Sequence, residues 1–154
     1  MQNKELIQKF YTAFSDGDSD SMIACYHEDV VFEDPAFGEL NGDKAKSMWK
    51  MLVGRRKESE TTISFNVLND HHAEWVAQYK YGPNKRPVTN KISSKFEFQD
   101  AKIIHHTDYF SLWKWTRQAL GTSGFLLGWS TFMRKKIQAT TNKLLAKYMM
   151  QQKN

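Results

Sequence analysis

Two aspartates, Asp34 and Asp108, each end an apolar stretch with the alternation of a β-strand. The first lies in Val30-Val31-Phe32-Glu33-Asp34-Pro35, the second in Lys102-Ile103-Ile104-His105-His106-Thr107-Asp108-Tyr109-Phe110. Alternation sets Val30, Phe32 and Asp34 on one face of the first strand. It sets Ile104, His106, Asp108 and Phe110 on one face of the second. A carboxylate that follows apolar residues inward must be hydrogen-bonded, protonated, or placed in a ligand pocket. His106 lies two residues from Asp108 on the same face, and such a pair can share a proton and bring one group's titration toward neutrality. Asp34, Asp108 and His106 are therefore the candidate catalytic residues, and the chemistry is general acid–base. The plain alternative is structural: Asp34 capping its own turn, and His106 with Asp108 anchoring a strand. His105 alternates to the opposite face, and His71 and His72 fall in a turn-like Asn69-Asp70-His71-His72 cluster. A zinc site needs three or four converging ligands. No such spacing occurs, so neither a metal nor another cofactor is expected.

The elements that must hold these groups can be read along the chain. Asn3 to Ser15 has helical periodicity, with Leu6, Ile7, Phe10, Ala13 and Phe14 on one stripe, and Asp16-Gly17-Asp18 stops it. A second helix starts near Ser19 and carries Met22, Ile23 and Tyr26 inward. After the strand ending at Asp34-Pro35, Gly38 and Gly42 bracket a loop. Asp43 caps a third helix to Val53, with Ala45, Met48, Trp49 and Leu52 on one face. Strand-like segments follow at Thr61–Leu68, Ala73–Tyr81, Val88–Phe98 and Lys102–Trp113, joined by short turns. This order predicts an α+β fold, a curved antiparallel sheet with helices on one face. Trp75, Ala77 and Tyr79 share one face of their strand, and Asn90, Ile92, Ser94 and Phe96 share one face of the next. Those faces would line a cavity walled by Met48 and Trp49 and closed by Phe110, with Tyr79, Asn90 and Ser94 as polar handles. Each of these residues has core packing as its ordinary alternative role.

From Trp113 the character changes. A Gly121-Thr122-Ser123-Gly124 break and the apolar Phe125–Trp129 precede a helix to about Met149, with Met133, Ile137, Leu144 and Tyr148 at near-helical spacing. Thr140 and Thr141 interrupt that stripe, so packing on the domain or on a dimer mate is expected before membrane insertion.

At 154 residues, with ten Phe, six Tyr and five Trp, the chain can bury a core as one domain. Its one cysteine, Cys25, excludes an intramolecular disulfide and suits a reducing compartment; among apolar neighbours it reads as a buried, inert thiol. Met1 to Lys9 has no apolar signal core, and Phe125–Trp129 is too short to span a bilayer. A cytoplasmic protein with no integral membrane segment is the expectation. Residues 1–108 hold 14 Lys/Arg against 17 Asp/Glu, whereas residues 109–154 hold 8 Lys/Arg and no acid. Such a tail can touch an anionic membrane surface peripherally, but its plainest reading is a solvated helix face. With an acidic first two-thirds and no recognised motif, no nucleic-acid partner is expected.

Three segments together resemble the NTF2-like superfamily, which includes ketosteroid isomerases, SnoaL-type polyketide cyclases and limonene epoxide hydrolases. They are Phe10-Tyr11-Thr12-Ala13-Phe14-Ser15-Asp16-Gly17-Asp18 leading to Tyr26-His27-Glu28-Asp29; Phe32-Glu33-Asp34-Pro35 followed by Gly38 and Gly42; and the hairpin Phe96–Ile103 ending in Asp108-Tyr109-Phe110. The resemblance covers about residues 3–120 and implies a cone: a curved sheet wrapped by N-terminal helices around a deep apolar cavity, often dimeric through the outer sheet face. It implies a domain over residues 1–120 and a helical extension over 121–154. Asp34 matches the proton-shuttling position of the isomerases, and Asp108 the acidic position of the cyclases and epoxide hydrolases. The chain departs where the isomerases donate from a first-helix tyrosine, since that position is Phe10, and Tyr11, one residue off, is expected to point elsewhere. Asn90–Phe96 holds no acid for their oxyanion hole, and neither Ala73–Tyr81 nor Val88–Phe98 offers the Arg/Asp pair of the epoxide hydrolases. The expected function is a cofactor-free isomerase, cyclase or hydratase acting on a small apolar carbonyl compound, with a homodimer as the expected assembly. The alternatives are a non-catalytic module that binds a hydrophobic ligand or a partner and, more remotely, a protein-transport role.

Overall fold

The computed structural model describes residues 2–122 and 130–153. The expected Ser123-Gly124 break and apolar Phe125–Trp129 lie outside the described residues. The elements run α1 (Asn3–Asp16), α2 (Ser19–Ala24), β1 (Tyr26–Asp34), β2 (Gly38–Asn41), α3 (Asp43–Gly54), β3 (Thr62–Val67), β4 (His72–Tyr81), β5 (Arg86–Gln99), β6 (Lys102–Tyr109), α4 (Leu112–Leu120) and α5 (Thr131–Gln152).

Local chemistry sets the boundaries. α1 starts at a capping box in which Gln2 and Glu5 bond reciprocally, and Gly17 ends it in the left-handed conformation. Asp18 caps α2 by accepting from the Ser21 amide. Gly42, rather than the expected Asp43, occupies the cap position of α3. Its φ is +52°, and an added Cβ would meet the Glu28 carbonyl oxygen at 3.3 Å. The Gly38–Gly42 stretch is a short strand, β2, antiparallel to β1, and not a loop. Ser111 and Ser130 cap α4 and α5. The apolar run expected as strand to Trp113 therefore turns helical at Leu112.

The sheet order is β2-β1-β6-β5-β4-β3. Neighbours are antiparallel except β1 and β6, which run parallel in the register Phe32↔His106 and Glu33↔Thr107. A bulge in β6, where Phe98 pairs with Ile103 but Glu97 pairs with His105, inserts one unpaired residue. It corrects the strict alternation: Ile103 enters the core beside His106, while Ile104 is only half-buried.

One continuous core lies between the sheet and α1, α2 and α3. Met51, not Leu52, completes the buried stripe of α3. α5 packs beside α3 and across the β1–β2 turn, and a satellite cluster of Leu112, Met133 and Ile137 joins it to α4. Its core-facing residue is Leu145; Leu144, expected there, is 40% exposed. Phe132, Lys136, Lys143, Lys147 and Met150 lie at helical spacing on its exposed side. Among the described residues no helix is long and apolar enough to cross a membrane.

Candidate active site

The parallel pairing of β1 and β6 brings the two aspartates together. Asp34 and Asp108 each lie one position beyond the register pair Glu33↔Thr107, at the same end of adjacent strands. Their surroundings differ.

His106 and Asp108 are in the core, with His106 fully buried and Asp108 nearly so. The His106 ring stacks on Trp49 (5.9 Å, 12°) and packs against Phe96 (4.4 Å), with the rings of Phe10 and Phe32 edge-on. Trp49 Nε1–H donates to Tyr26 Oη (2.7 Å), and Tyr26 Oη lies 2.7 Å from His106 Nδ1. Because Tyr26 already accepts from Trp49, its own proton goes to Nδ1. In that arrangement Nε2–H of His106 donates to Asp108 Oδ1 (2.8 Å). Ser94 Oγ accepts from Tyr11 O–H (2.8 Å) and Trp75 Nε1–H (3.0 Å), and gives its own proton to Asp108 Oδ1 (2.5 Å). Burial pushes the Tyr26 and Tyr11 phenols well above their ordinary range, so both stay donors. Every buried side-chain polar atom among the described residues has a partner.

Tyr11 thus corrects an expectation. It sits one residue beyond the position used by the isomerases, yet its hydroxyl reaches this network through Ser94, while Phe10 supplies an apolar wall.

Asp34 is half-buried at the end of β1. Its Oδ1 accepts from the amides of Ala36 (2.9 Å) and Phe37 (2.6 Å), and its Oδ2 makes no hydrogen bond with a described residue. Its carboxyl is raised from 3.8 to about 7, first because burial desolvates the charge and further because Asp108 and Glu33 are nearby; the two amides oppose the rise. Tyr79, also half-buried, accepts from the indole N–H of Trp115, so its own proton is free to donate. Its phenol is raised to about 12 by burial, with Tyr81 and Asp34 adding to the effect.

Of the expected lining residues, Trp49, Trp75 and Ser94 are buried and pack on one another or in the network, whereas Tyr79, Asn90 and Phe110 are half-buried. Surface grooves are formed by described residues. One, of about 420 Å³, lies between Phe110–Trp113 and Ser130, Thr131 and Arg134; another, of about 540 Å³, lies near Asp16, Val53 and Arg56. Neither includes Asp34, His106 or Asp108. His105 points outward to Glu97 (2.9 Å), and His71 is exposed. Among the described residues no group of three or more His, Cys, Asp or Glu could hold a metal ion.

The sequence reading missed Tyr26 and Tyr11 as site residues. Both stand at inward positions among apolar neighbours, and a buried phenol needs a hydrogen-bond partner. That requirement was the available signal.

A six-stranded curved sheet wrapped by helices, with acidic groups on its concave side, defines an NTF2-like α+β cone. Residues 7–106 match the family model of the SnoaL-like domain, and the chain belongs to that family within the NTF2-like superfamily. No curated protein sequence matches the chain. Among solved structures, it is similar to a candidate polyketide cyclase from Xanthomonas campestris (23% identity, 76% of this chain and 96% of that one, TM-score 0.60). It is also similar to an LEH-like epoxide hydrolase from M. tuberculosis (19% identity, 80% and 92%, TM-score 0.56). A third similar structure is an NTF2-like protein of unknown function from Burkholderia pseudomallei (16% identity, 77% and 98%, TM-score 0.60). At these identities the likenesses establish the fold alone.

Proposed function

We propose that the protein is a cofactor-free acid–base enzyme acting on a small apolar carbonyl compound, with Asp34 as the proton-transfer group. The observation that carries this reading is the state of Asp34: one oxygen held by two amides, the other without a partner among the described residues, and a titration near neutrality. Asp34 would take the proton from the carbon next to the carbonyl. The C–H electron pair would move into the carbonyl to form an enolate, and Tyr79 O–H would donate to its oxygen. Return of the proton to the same or a conjugated carbon completes an exchange or an isomerisation. His106 and Asp108, candidate catalytic residues alongside Asp34 in the sequence, would act from behind: Oδ1 of Asp108 already accepts from Ser94 and His106, and its charge helps keep Asp34 basic. Trp49, Trp75, Asn90 and Phe110 would shape the apolar surroundings. A homodimer through the outer sheet face, around Glu97, His105 and Tyr109, and a cytoplasmic setting belong to this reading.

A second reading, a non-catalytic binding module, is favoured by one observation. The rings of Phe10, Phe14, Trp49, Trp75 and Phe96 fill the concave side around His106. Deuterium exchange separates the two. Small apolar ketones in D2O should lose their α-proton NMR signals with the wild type and keep them with Asp34→Asn. Exchange that survives in Asp34→Asn overturns the enzyme reading with Asp34 as base; ketone binding without exchange in either protein supports the module.

A further inference from the structure

The turn that holds Asp34 is itself held by α5. Gln138 Nε2–H donates to the Pro35 carbonyl (3.1 Å), Thr141 Oγ1–H to the Ala36 carbonyl (2.7 Å), and Asn142 Nδ2–H to the Phe37 carbonyl (2.8 Å). A peptide unit joins the carbonyl of one residue to the amide of the next. The Pro35 carbonyl therefore belongs to the same unit as the Ala36 N–H, and the Ala36 carbonyl to the same unit as the Phe37 N–H. Those are the two amides that bond Asp34 Oδ1. Two continuous chains result. One runs from the Gln138 amide through the Pro35–Ala36 peptide to Asp34, the other from the Thr141 hydroxyl through the Ala36–Phe37 peptide to Asp34.

Hydrogen bonds in such chains polarise one another: a donor on the carbonyl makes the amide of that unit a stronger donor. The third contact differs. Asn142 bonds the Phe37–Gly38 unit, whose amide does not reach Asp34. The polar residues that break the apolar stripe of α5 thereby receive a purpose, since buried side-chain polar groups at a helix interface must find partners.

We propose that Gln138 and Thr141 are positioning residues for Asp34, each acting through one peptide unit of the Pro35–Phe37 turn to strengthen the amide that holds its carboxylate. This rests on the reading of Asp34 as the proton-transfer group, and it makes the C-terminal helix part of the site. The other groups around Asp34 are Glu33 on its own strand, Asp108 on β6 and the Tyr79 phenol on β4, while α5 meets the turn through neutral amide and hydroxyl groups. Weakening the relay should therefore disfavour the ionised form of Asp34 against an unchanged charged background.

The test is the carbon-13 titration of the Asp34 carboxyl in the ligand-free full chain. Thr141→Val and Gln138→Leu should each raise its midpoint by about 0.5 pH unit. Thr141→Ser, which keeps the hydroxyl, should restore the wild-type curve. Asn142→Ala removes a bond to the same turn from the same helix and should lower the urea midpoint without moving the titration. An unmoved midpoint in Thr141→Val, or an equal shift in Asn142→Ala, overturns the proposal, because α5 would then merely brace the turn. The titration needs no substrate, so failure of the relay is read separately from failure of Asp34 as a base, which the deuterium exchange reports. If Thr141→Val does not fold, Thr141→Ser against Gln138→Leu gives the same comparison.

Discussion

Replacing Asp34 by Asn should make the protein more stable, and only above acidic pH. The Asp34 carboxyl is raised from 3.8 to about 7 in the folded chain by burial, with the Asp108 and Glu33 charges adding to it. Below pH 4 it is protonated in both folded and unfolded chains. Between pH 4 and 7 the unfolded chain ionises while the native one keeps its proton, so the native state binds more protons and stability falls as pH rises. Above pH 7 both are ionised and the loss is complete. A rise of this size corresponds to about 4 kcal/mol, and solvent at the half-exposed carboxyl reduces it to about 2–4 kcal/mol. Asn keeps a carbonyl oxygen for the amides of Ala36 and Phe37 and carries no charge to desolvate. Urea unfolding of the wild type and Asp34→Asn from pH 4 to pH 8 should show curves that meet at the acid end and separate with rising pH. In thermal unfolding the separation at pH 8 should reach roughly 5–15 °C for a chain of this size. A difference constant across that range, or one favouring the wild type at pH 8, would refute the reasoning, since Asp34 would then be as well solvated when folded as when unfolded.

Two further predictions concern stability. Ser94→Ala leaves the Tyr11 hydroxyl and Trp75 indole without an acceptor and removes a donor from Asp108, all in the core. It should cost about 2–4 kcal/mol by urea unfolding, and a loss below about 1 kcal/mol would mean the network is not closed as described. At the β5–β6 hairpin, Asp100 and Ala101 form a two-residue turn with φ of +53° and +60°. Ala101→Gly removes a left-handed alanine there and should stabilise by about 1 kcal/mol in the same assay; destabilisation would argue against that turn geometry.

Much of this architecture was legible because local chemistry and burial repeat along the chain. The stripe of α1, the stop at Asp16-Gly17-Asp18 and the turn before Lys102 each depend on residues a few positions apart. So did the inward aim of His106 and Asp108, since alternation from either partner gives the same face. Reading failed where one inserted residue changes the face, as at the Ile104 bulge, or where a short strand lies between glycines, as in β2. It also failed at Leu144 and Leu145, which sit side by side on α5, so that only packing against the core selects Leu145.

By itself the sequence determined a helix-first α+β chain with NTF2-like character, and it singled out Asp34, His106 and Asp108 by period and type. Only the tertiary structure decided that β1 and β6 run parallel and end together, so that two carboxylates 74 positions apart become neighbours. It alone set their surroundings apart, with Asp108 Oδ1 accepting from Ser94 and His106 in the core and Asp34 half-buried on a turn held by α5. The physical reason is that desolvation and hydrogen-bond satisfaction depend on every group packed around an atom, and most of those groups come from distant parts of the chain.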